Sequence, residues 1–364
     1  MTDIFATRRE KLRKLLKKEK ADALLVTNFT NVTWLTGFTG DDSYLLLHAD
    51  GACLLSDFRY EIQIENECPG LPFMIRSGKV GFSQLIREEL GKISSSPRLG
   101  VEINSITWAL VESFRKSVTE DIVPLDSLVE KLRQMKDRQE IQTIREAGRI
   151  ARNAFHAVRA LLSPDWTEKQ VADELEFAMR RLGAKDASFP TISAVGSNAA
   201  LCHCVPGERR VRDASFILID WGARYQGYVS DLTRVLITGK ITPEFRKVYQ
   251  IVLDAQRKAI EAVHPGIPCS EVDAVARNYI AEAGYGKYFD HGLGHGIGLD
   301  VHEGPSFSPR CETILKPGMI ITVEPGIYIK NWGGVRIEDD VLVTRDGGEV
   351  LTDVEKELDD MYVR

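Results

Sequence analysis

The sequence predicts two domains: an α/β domain over residues 1–129 and, after a linker at 130–136, an α+β domain over 137–364 that uses one helix–helix–hairpin unit twice. Two observations carry this reading. Short apolar runs alternate with amphipathic helical stretches in the first part. In the second part, helix starts and carboxylates recur at nearly constant spacing.

The elements follow in order. Arg8 to Lys20 is a basic cluster with Leu12, Leu15 and Leu16 among the charges. It reads as a solvated helix with one apolar stripe docked on its own domain. Ala23–Leu24–Leu25–Val26 is a buried strand. Tyr44 to Leu47 and Ala52 to Leu55 flank His48–Ala49–Asp50–Gly51, which is a hairpin signal. Leu99 to Glu102 is a further strand, preceded by the polar connector Lys92 to Pro97.

The second domain opens on Asp137 with Glu140 three residues later, a capping box that starts a helix. Ile141, Ile144, Ala151, Phe155, Val158 and Leu162 then recur at helical spacing. Thr167 with Gln170 starts another helix, which Gly183 ends, and the strand Phe216 to Ile219 leads into Asp220. The pattern then returns. Thr242–Pro243 supplies an N-cap and first-turn proline. Ser270 with Asp273 opens a fourth helix ended by Gly284, and Met319 to Val323 leads into Glu324. Thr242 follows Asp137 by 105 residues and Ser270 follows Thr167 by 103. Glu324 follows Asp220 by 104 and Glu338 follows Asp231 by 107. Four landmarks displaced alike imply an internal duplication, each copy contributing two carboxylates.

Asp220, Asp231, His295, Glu324 and Glu338 form a candidate metal-ligand set. Asp220 and Asp231 bracket a Gly-bounded turn, so a hairpin brings them together. Glu324 and Glu338 bracket the equivalent turn. Four carboxylates gathered without cations repel one another and resist burial. Two divalent ions remove that cost. The donor set suits Mn²⁺, with Co²⁺, Zn²⁺ or Fe²⁺ as other occupants, and a shared water or hydroxide as nucleophile. His295 lies in His291–Gly292–Leu293–Gly294–His295–Gly296–Ile297–Gly298, whose glycines permit positive φ and close packing. His203, His291 and His302 fall near the same motifs and offer proton transfer or oxyanion contact. Cys202–His203–Cys204 is not read as a soft-metal site, since neighbouring strand residues face opposite ways.

Net charge is −6, which gives no electrostatic case for nucleic acid. No apolar run approaches the roughly 20 residues of a membrane span. The start MTDIFATRREK lacks a secretory apolar stretch, and the six cysteines form no CxxC pair. A cytoplasmic location is expected, with the cysteines reduced and no membrane partner.

Several linked strings carry a family resemblance. They are Asp220-x-Gly222, Tyr228-x-Ser230–Asp231-x-Thr233–Arg234, the glycine-rich run with His302–Glu303, Glu324–Pro325–Gly326 and Arg336–Ile337–Glu338–Asp339. Together they resemble the pita-bread metallopeptidases, and within them the Xaa-Pro branch of prolidase and aminopeptidase P. Asn31 to Phe38 and Asp57–Phe58–Arg59–Tyr60 look like the creatinase-type, ribonuclease H-like N-terminal domain of that branch. The resemblance implies a dinuclear metallopeptidase that cleaves the bond before proline in small peptides. Asp231 and Glu338 would bind both metals. His203, His302 and Glu324 would be catalytic, with Glu324 also a ligand, and His291 and Arg336 would line the proline side of the pocket. It also implies a homodimer. Trp221 stands where a phenylalanine is usual, and Asp213–Ala214 replaces a Gly-Asp. Other readings are a methionine aminopeptidase, a metal-free creatinase-like hydrolase and a non-catalytic binding protein on the same fold. The N-terminal domain argues against the first and the full ligand set against the others.

Overall fold

The computed structural model describes residues 3–363, which divide into two compact units at Arg133/Gln134.

The first unit is built on a six-stranded mixed sheet. Its order is Phe73–Arg76, Ala52–Asp57, Tyr44–His48, Ala23–Val26, Leu99–Glu102 and Ile122–Leu125. The hairpin pairs Tyr44 with Leu55 and Leu47 with Ala52, while Ala23–Val26 runs antiparallel to one neighbour and parallel to the other. Ala23–Val26 is buried throughout, as its unbroken apolar run requires. The basic N-terminal segment forms the helix Ile4–Leu16 and buries Leu12 and Leu16. Arg8 is buried with them, its guanidinium over the Trp34 ring and donating to the Trp34 carbonyl. The helix Phe29–Thr36, with Asn28 as N-cap, had no clear sequence signal. Residues 130–133, assigned to the linker from sequence, complete the helix Leu128–Arg133.

The second unit runs helix, helix, strands, twice over. Arg138–Leu161 begins with the Asp137/Glu140 capping box and Glu168–Arg181 with the Thr167/Gln170 box. Pro243–Glu261 starts at the Thr242 cap, and Cys269–Glu282 follows it. The last helix begins earlier than Ser270 implies. Pro268 is its N-cap, and Asp273 instead pairs with Arg277 and accepts from the Leu293 N–H at 3.0 Å. Gly183 and Gly284 both take the left-handed conformation just past their helices.

In the first copy, Phe216–Trp221 pairs antiparallel with Leu232–Ile237, placing Thr233 opposite Asp220. In the second, Ile320–Val323 pairs with Asp339–Val343, and Glu324 and Glu338 are the next residue of each strand. Each copy also inserts a small hairpin between its two acids: Ala223–Tyr225 with Tyr228–Val229, and Gly326–Ile329 with Gly333–Arg336. An isolated antiparallel bridge, Thr233 to Glu338, is among the contacts that join the copies. Trp221 is fully buried, stacks on Phe155 at 4.5 Å, and donates its indole N–H to the Ala151 carbonyl.

Candidate metal centre and active site

The five candidate ligands come from strand ends or the glycine-rich run, and none from a helix interior. Asp220 lies near the end of its strand and Asp231 just before the partner strand, so both acids emerge at the same end of the sheet. Glu324 and Glu338 leave the second sheet in the same way. His295 sits on Gly294–Gly296, which pairs with both Glu303–Phe307 and Ile320–Val323. The Glu324 N–H donates to the Leu293 carbonyl at 2.8 Å, fixing the imidazole beside the glutamate.

The glycines around His295 meet one half of the expectation, close packing, and not the other. None of Gly292, Gly294, Gly296 and Gly298 takes positive φ. Instead, a Cβ at Gly294 would strike the Thr322 carbonyl, and one at Gly296 would strike the Gly304 carbonyl. They are glycines because two neighbouring strands press against this one.

Among the described residues, ligand atoms of Asp231, His295 and Glu338 lie within 4.8 Å of one another. His295 Nε2 is 3.4 Å from Glu324 Oε1 and 3.7 Å from Asp231 Oδ2. His295 Nδ1 meets the Gly296 carbonyl at 3.1 Å, so it carries the proton and leaves Nε2 as a lone pair. Burial, and then the adjacent His302, pull the His295 pKa down to about 4 and keep the ring neutral. A bare lone pair thus faces carboxylate oxygens. Asp220 sits slightly apart. Its Oδ2 accepts from Arg336 Nη2 at 2.5 Å, while its Oδ1 is buried without a hydrogen-bond partner among the described residues.

Electrostatics make the same case. Burial first, then Glu338, Asp220, Asp340 and Glu324, push the Asp231 pKa well above the carboxylate range. Glu338 is pushed up by burial and by Glu324 and Asp220. Burial raises Glu324 to about 8, with Arg336 opposing and Asp220 adding to the rise. Among the described residues the four carboxylates share one guanidinium, Arg336, so ionising all four would leave three charges uncompensated. Lone pairs turned toward one another, an orphaned carboxylate oxygen and acids forced to hold protons fit a centre that takes divalent cations.

These groups lie at the base of a cavity of about 780 Å³. His203, His291, His302, Tyr328 and Arg336 also line it, with Phe189, Ile192, Val205 and Phe307 among its apolar walls. His203 is exposed and lies on a turn after the short 3₁₀ helix Gly196–Ala200, not on a strand. Cys202 and Cys204 border the same cavity and form no metal cluster among the described residues. His291 Nδ1 donates to the Gly292 carbonyl at 2.7 Å, and its Nε2 accepts from the Tyr328 hydroxyl at 3.2 Å. Burial holds the His291 pKa near 4. His302 packs edge-on against His295, ring centres 4.4 Å apart. His203, His291 and His302 therefore share one cavity with all five candidate ligands. His48 lies beside Glu89 in the first unit, and His156 beside Glu355 in the second; neither is among the residues that line this cavity.

Three participants had escaped the sequence reading. Tyr328 accepts from Arg336 Nη1 at 2.8 Å. Thr233 Oγ1 donates to Glu338 Oε2 at 2.6 Å and accepts from Arg336 Nε at 3.1 Å. Asp340 Oδ2 accepts the Asp231 N–H at 3.0 Å. Thr233 is legible in retrospect, being two residues from Asp231 on an alternating strand. Tyr328 and Asp340 had no local signal.

Comparison with known proteins agrees with this architecture. Residues 8–135 match the creatinase/prolidase N-terminal domain, and residues 142–345 match metallopeptidase family M24. An uncharacterized peptidase of Bacillus subtilis is 40% identical over 96% of this chain and 98% of its own. A solved Xaa-Pro dipeptidase from Bacillus anthracis superposes with a TM-score of 0.93 at 37% identity, covering 97% of this chain and 99% of that one. An X-Pro aminopeptidase from Thermotoga maritima superposes with a TM-score of 0.87 at 33% identity, covering 96% and 99%. With a creatinase-type domain ahead of a pita-bread catalytic domain, this chain belongs to metallopeptidase family M24.

Proposed function

We propose that this chain hydrolyses the peptide bond preceding proline in small peptides, using two divalent cations held by Asp220, Asp231, His295, Glu324 and Glu338. Asp231 and Glu338 would be shared between the two ions. The observation that carries the proposal is the buried, under-neutralised acid cluster at the base of a cavity with apolar walls. When bound, the cations supply Lewis acidity toward the scissile carbonyl and make water a competent nucleophile near neutral pH. The chain's own groups do the rest. Glu324 takes the proton of the attacking water at its carboxylate. His203 and His302 contact the carbonyl oxygen and steady the charge that develops there. Neutral His291, held by Tyr328, and Arg336, held by Asp220, border the proline side.

The substrate follows from chemistry. The amide before proline has no N–H and ends in a rigid ring. A pocket with Phe189, Ile192, Val205 and Phe307 in its walls accepts a ring without asking for that missing donor. Relatives named as Xaa-Pro dipeptidase and X-Pro aminopeptidase support the same bond specificity. Mn²⁺ is the cation proposed, since carboxylate-rich donors with one imidazole favour it. A homodimer and a cytoplasmic location complete the reading, the latter supported by six cysteines, none in a disulfide.

The test is a panel of Xaa-Pro, Xaa-Pro-Yaa, Xaa-Ala and Met-Ala-Yaa peptides with Mn²⁺, Co²⁺ and Zn²⁺ in turn, read by amino-acid release. Xaa-Pro bonds should be cut at least tenfold faster than Xaa-Ala, about the discrimination a ring-shaped pocket gives. The relative rates on two- and three-residue peptides assign dipeptidase or aminopeptidase character. Equal cleavage of Xaa-Ala, or activity that survives exhaustive chelation, would overturn the proposal.

A further inference from the structure

His302 stands on the loop that follows Gly298, and its position against His295 depends on how that loop is held. The next residue does much of the holding. Glu303 Oε1 accepts the N–H groups of Leu299 at 2.9 Å and Asp300 at 3.1 Å. Its other oxygen, Oε2, lies 3.2 Å from Lys136 Nζ, and the two side chains are 7% and 1% exposed. Lys136 is itself fixed through its backbone N–H, which donates to the Gly318 carbonyl at 2.9 Å. Gly298 leaves room for the arrangement, since a Cβ there would lie 2.7 Å from Glu303 Oε1. One carboxylate therefore closes the loop on both sides of Val301–His302, and a buried ammonium anchors that carboxylate.

From this geometry we propose that Glu303, braced by Lys136, is the positioning residue for His302. The proposal rests on the catalytic role given to His302 above. Glu303 does not line the cavity and touches no reacting atom in this assignment. It sets the turn that presents the imidazole. Displacing a catalytic group by about 1 Å costs on the order of a hundredfold in rate, so a loop clasp of this kind acts on turnover and not on ground-state binding.

Removing Glu303 alone would strand a buried ammonium, and the variant could fail to fold. The informative pair therefore neutralises both partners: Lys136→Met/Glu303→Gln and Lys136→Met/Glu303→Ala. Both lack the ion pair. Only the first keeps an oxygen that accepts from Leu299 and Asp300. Each protein, loaded with Mn²⁺, is measured for kcat and KM on an Xaa-Pro dipeptide, for bound metal by mass spectrometry, and for hydrogen exchange of the 298–303 amides. The Gln double variant should keep amide protection and stay within about threefold of the parent kcat. The Ala double variant should lose protection and about tenfold to a hundredfold in kcat, with KM and metal content little changed. Equal kcat in the two double variants, or unchanged protection in the Ala variant, would overturn the proposal. The exchange measurement needs no substrate. A parent protein without Xaa-Pro activity would sink the functional reading while leaving the loop clasp standing on its own test.

Discussion

Two groups of buried acid lie back to back on one strand, and they behave in opposite ways. Glu338, Asp339 and Asp340 are consecutive, and alternation along the strand sends the first and third to one face and the second to the other. On the outer side, Asp339 Oδ1 accepts from Arg234 at 2.7 Å, and its Oδ2 accepts from Lys356 at 2.7 Å and Gln256 at 2.8 Å. Arg234 is fully buried and spends its remaining donors on the carbonyls of Thr233, Glu338, Val354 and Glu355. Burial would push Asp339 up, but Arg234 and Lys356 overrule it and hold the acid below the ordinary range. On the inner side, burial drives Glu338 and Asp340 well up, and one Asp340 oxygen has no partner among the described residues. The chain neutralises one cluster with its own cations and leaves the other under-neutralised. A local failure of self-neutralisation of this kind is what the proposed cation site requires.

The sharpest test removes an inner acid. Asp231→Ala should bring Xaa-Pro hydrolysis below detection and reduce bound Mn²⁺, measured by activity and metal analysis on one preparation. Its circular dichroism should match the parent, and after chelation it should melt no lower than the chelated parent, because the charge removed was a burden without metal. Appreciable turnover would break the contrast at its root.

The outer cluster should respond the other way. Arg234→Met strands Asp339 beside a single lysine and should cost about 3–5 kcal/mol in denaturant unfolding, with or without chelator. A loss that appears only in metal-loaded protein would show that the two clusters are not independent. His302→Ala should lower kcat by about 10²–10³-fold, the usual effect of losing one oxyanion contact, with melting temperature unchanged. Unaltered kinetics would make His302 a bystander.

The smallest effect concerns pH. Glu324 is raised from 4.5 to about 8 in the folded chain without metal. Between those values the folded chain holds a proton that the unfolded chain has released, so stability falls as pH rises. Chelated protein should lose about 1.4 kcal/mol per pH unit per retained proton between pH 6 and 8. Cations displace those protons, so the loaded protein should show little slope and the gap between the two curves should widen with pH. A chelated protein that gains stability over this interval would reverse the sign assigned to the inner acids.

Much of this was legible before any coordinates. The Asp137/Glu140 and Thr167/Gln170 caps are local hydrogen-bond chemistry, so short sequence windows contain them. The four candidate acid ligands were legible because duplication repeats a spacing and because glycine and proline mark the turns between paired acids, and His295 because it lies in a glycine-rich run. Ser270 misled because a serine–aspartate pair resembles a cap, whereas Asp273 serves Arg277 and the Leu293 amide, a tertiary contact no local rule contains. The glycines around His295 pack close to their neighbours as expected, but none takes the positive φ also expected of them. Asp340 was invisible because an acid beside two others reads as a solvated charge until burial is known. Tyr328 joined the site through Arg336 and His291, which lie eight and 37 residues away along the chain.

The bridge from Thr233 to Glu338 is one of the contacts through which the duplicated halves meet, and it borders the acid cluster. Any breathing that parts the halves must pull the donor atoms asunder. An ion seated there would act as a rivet as well as a reagent, and its escape rate would gauge how often the seam gapes.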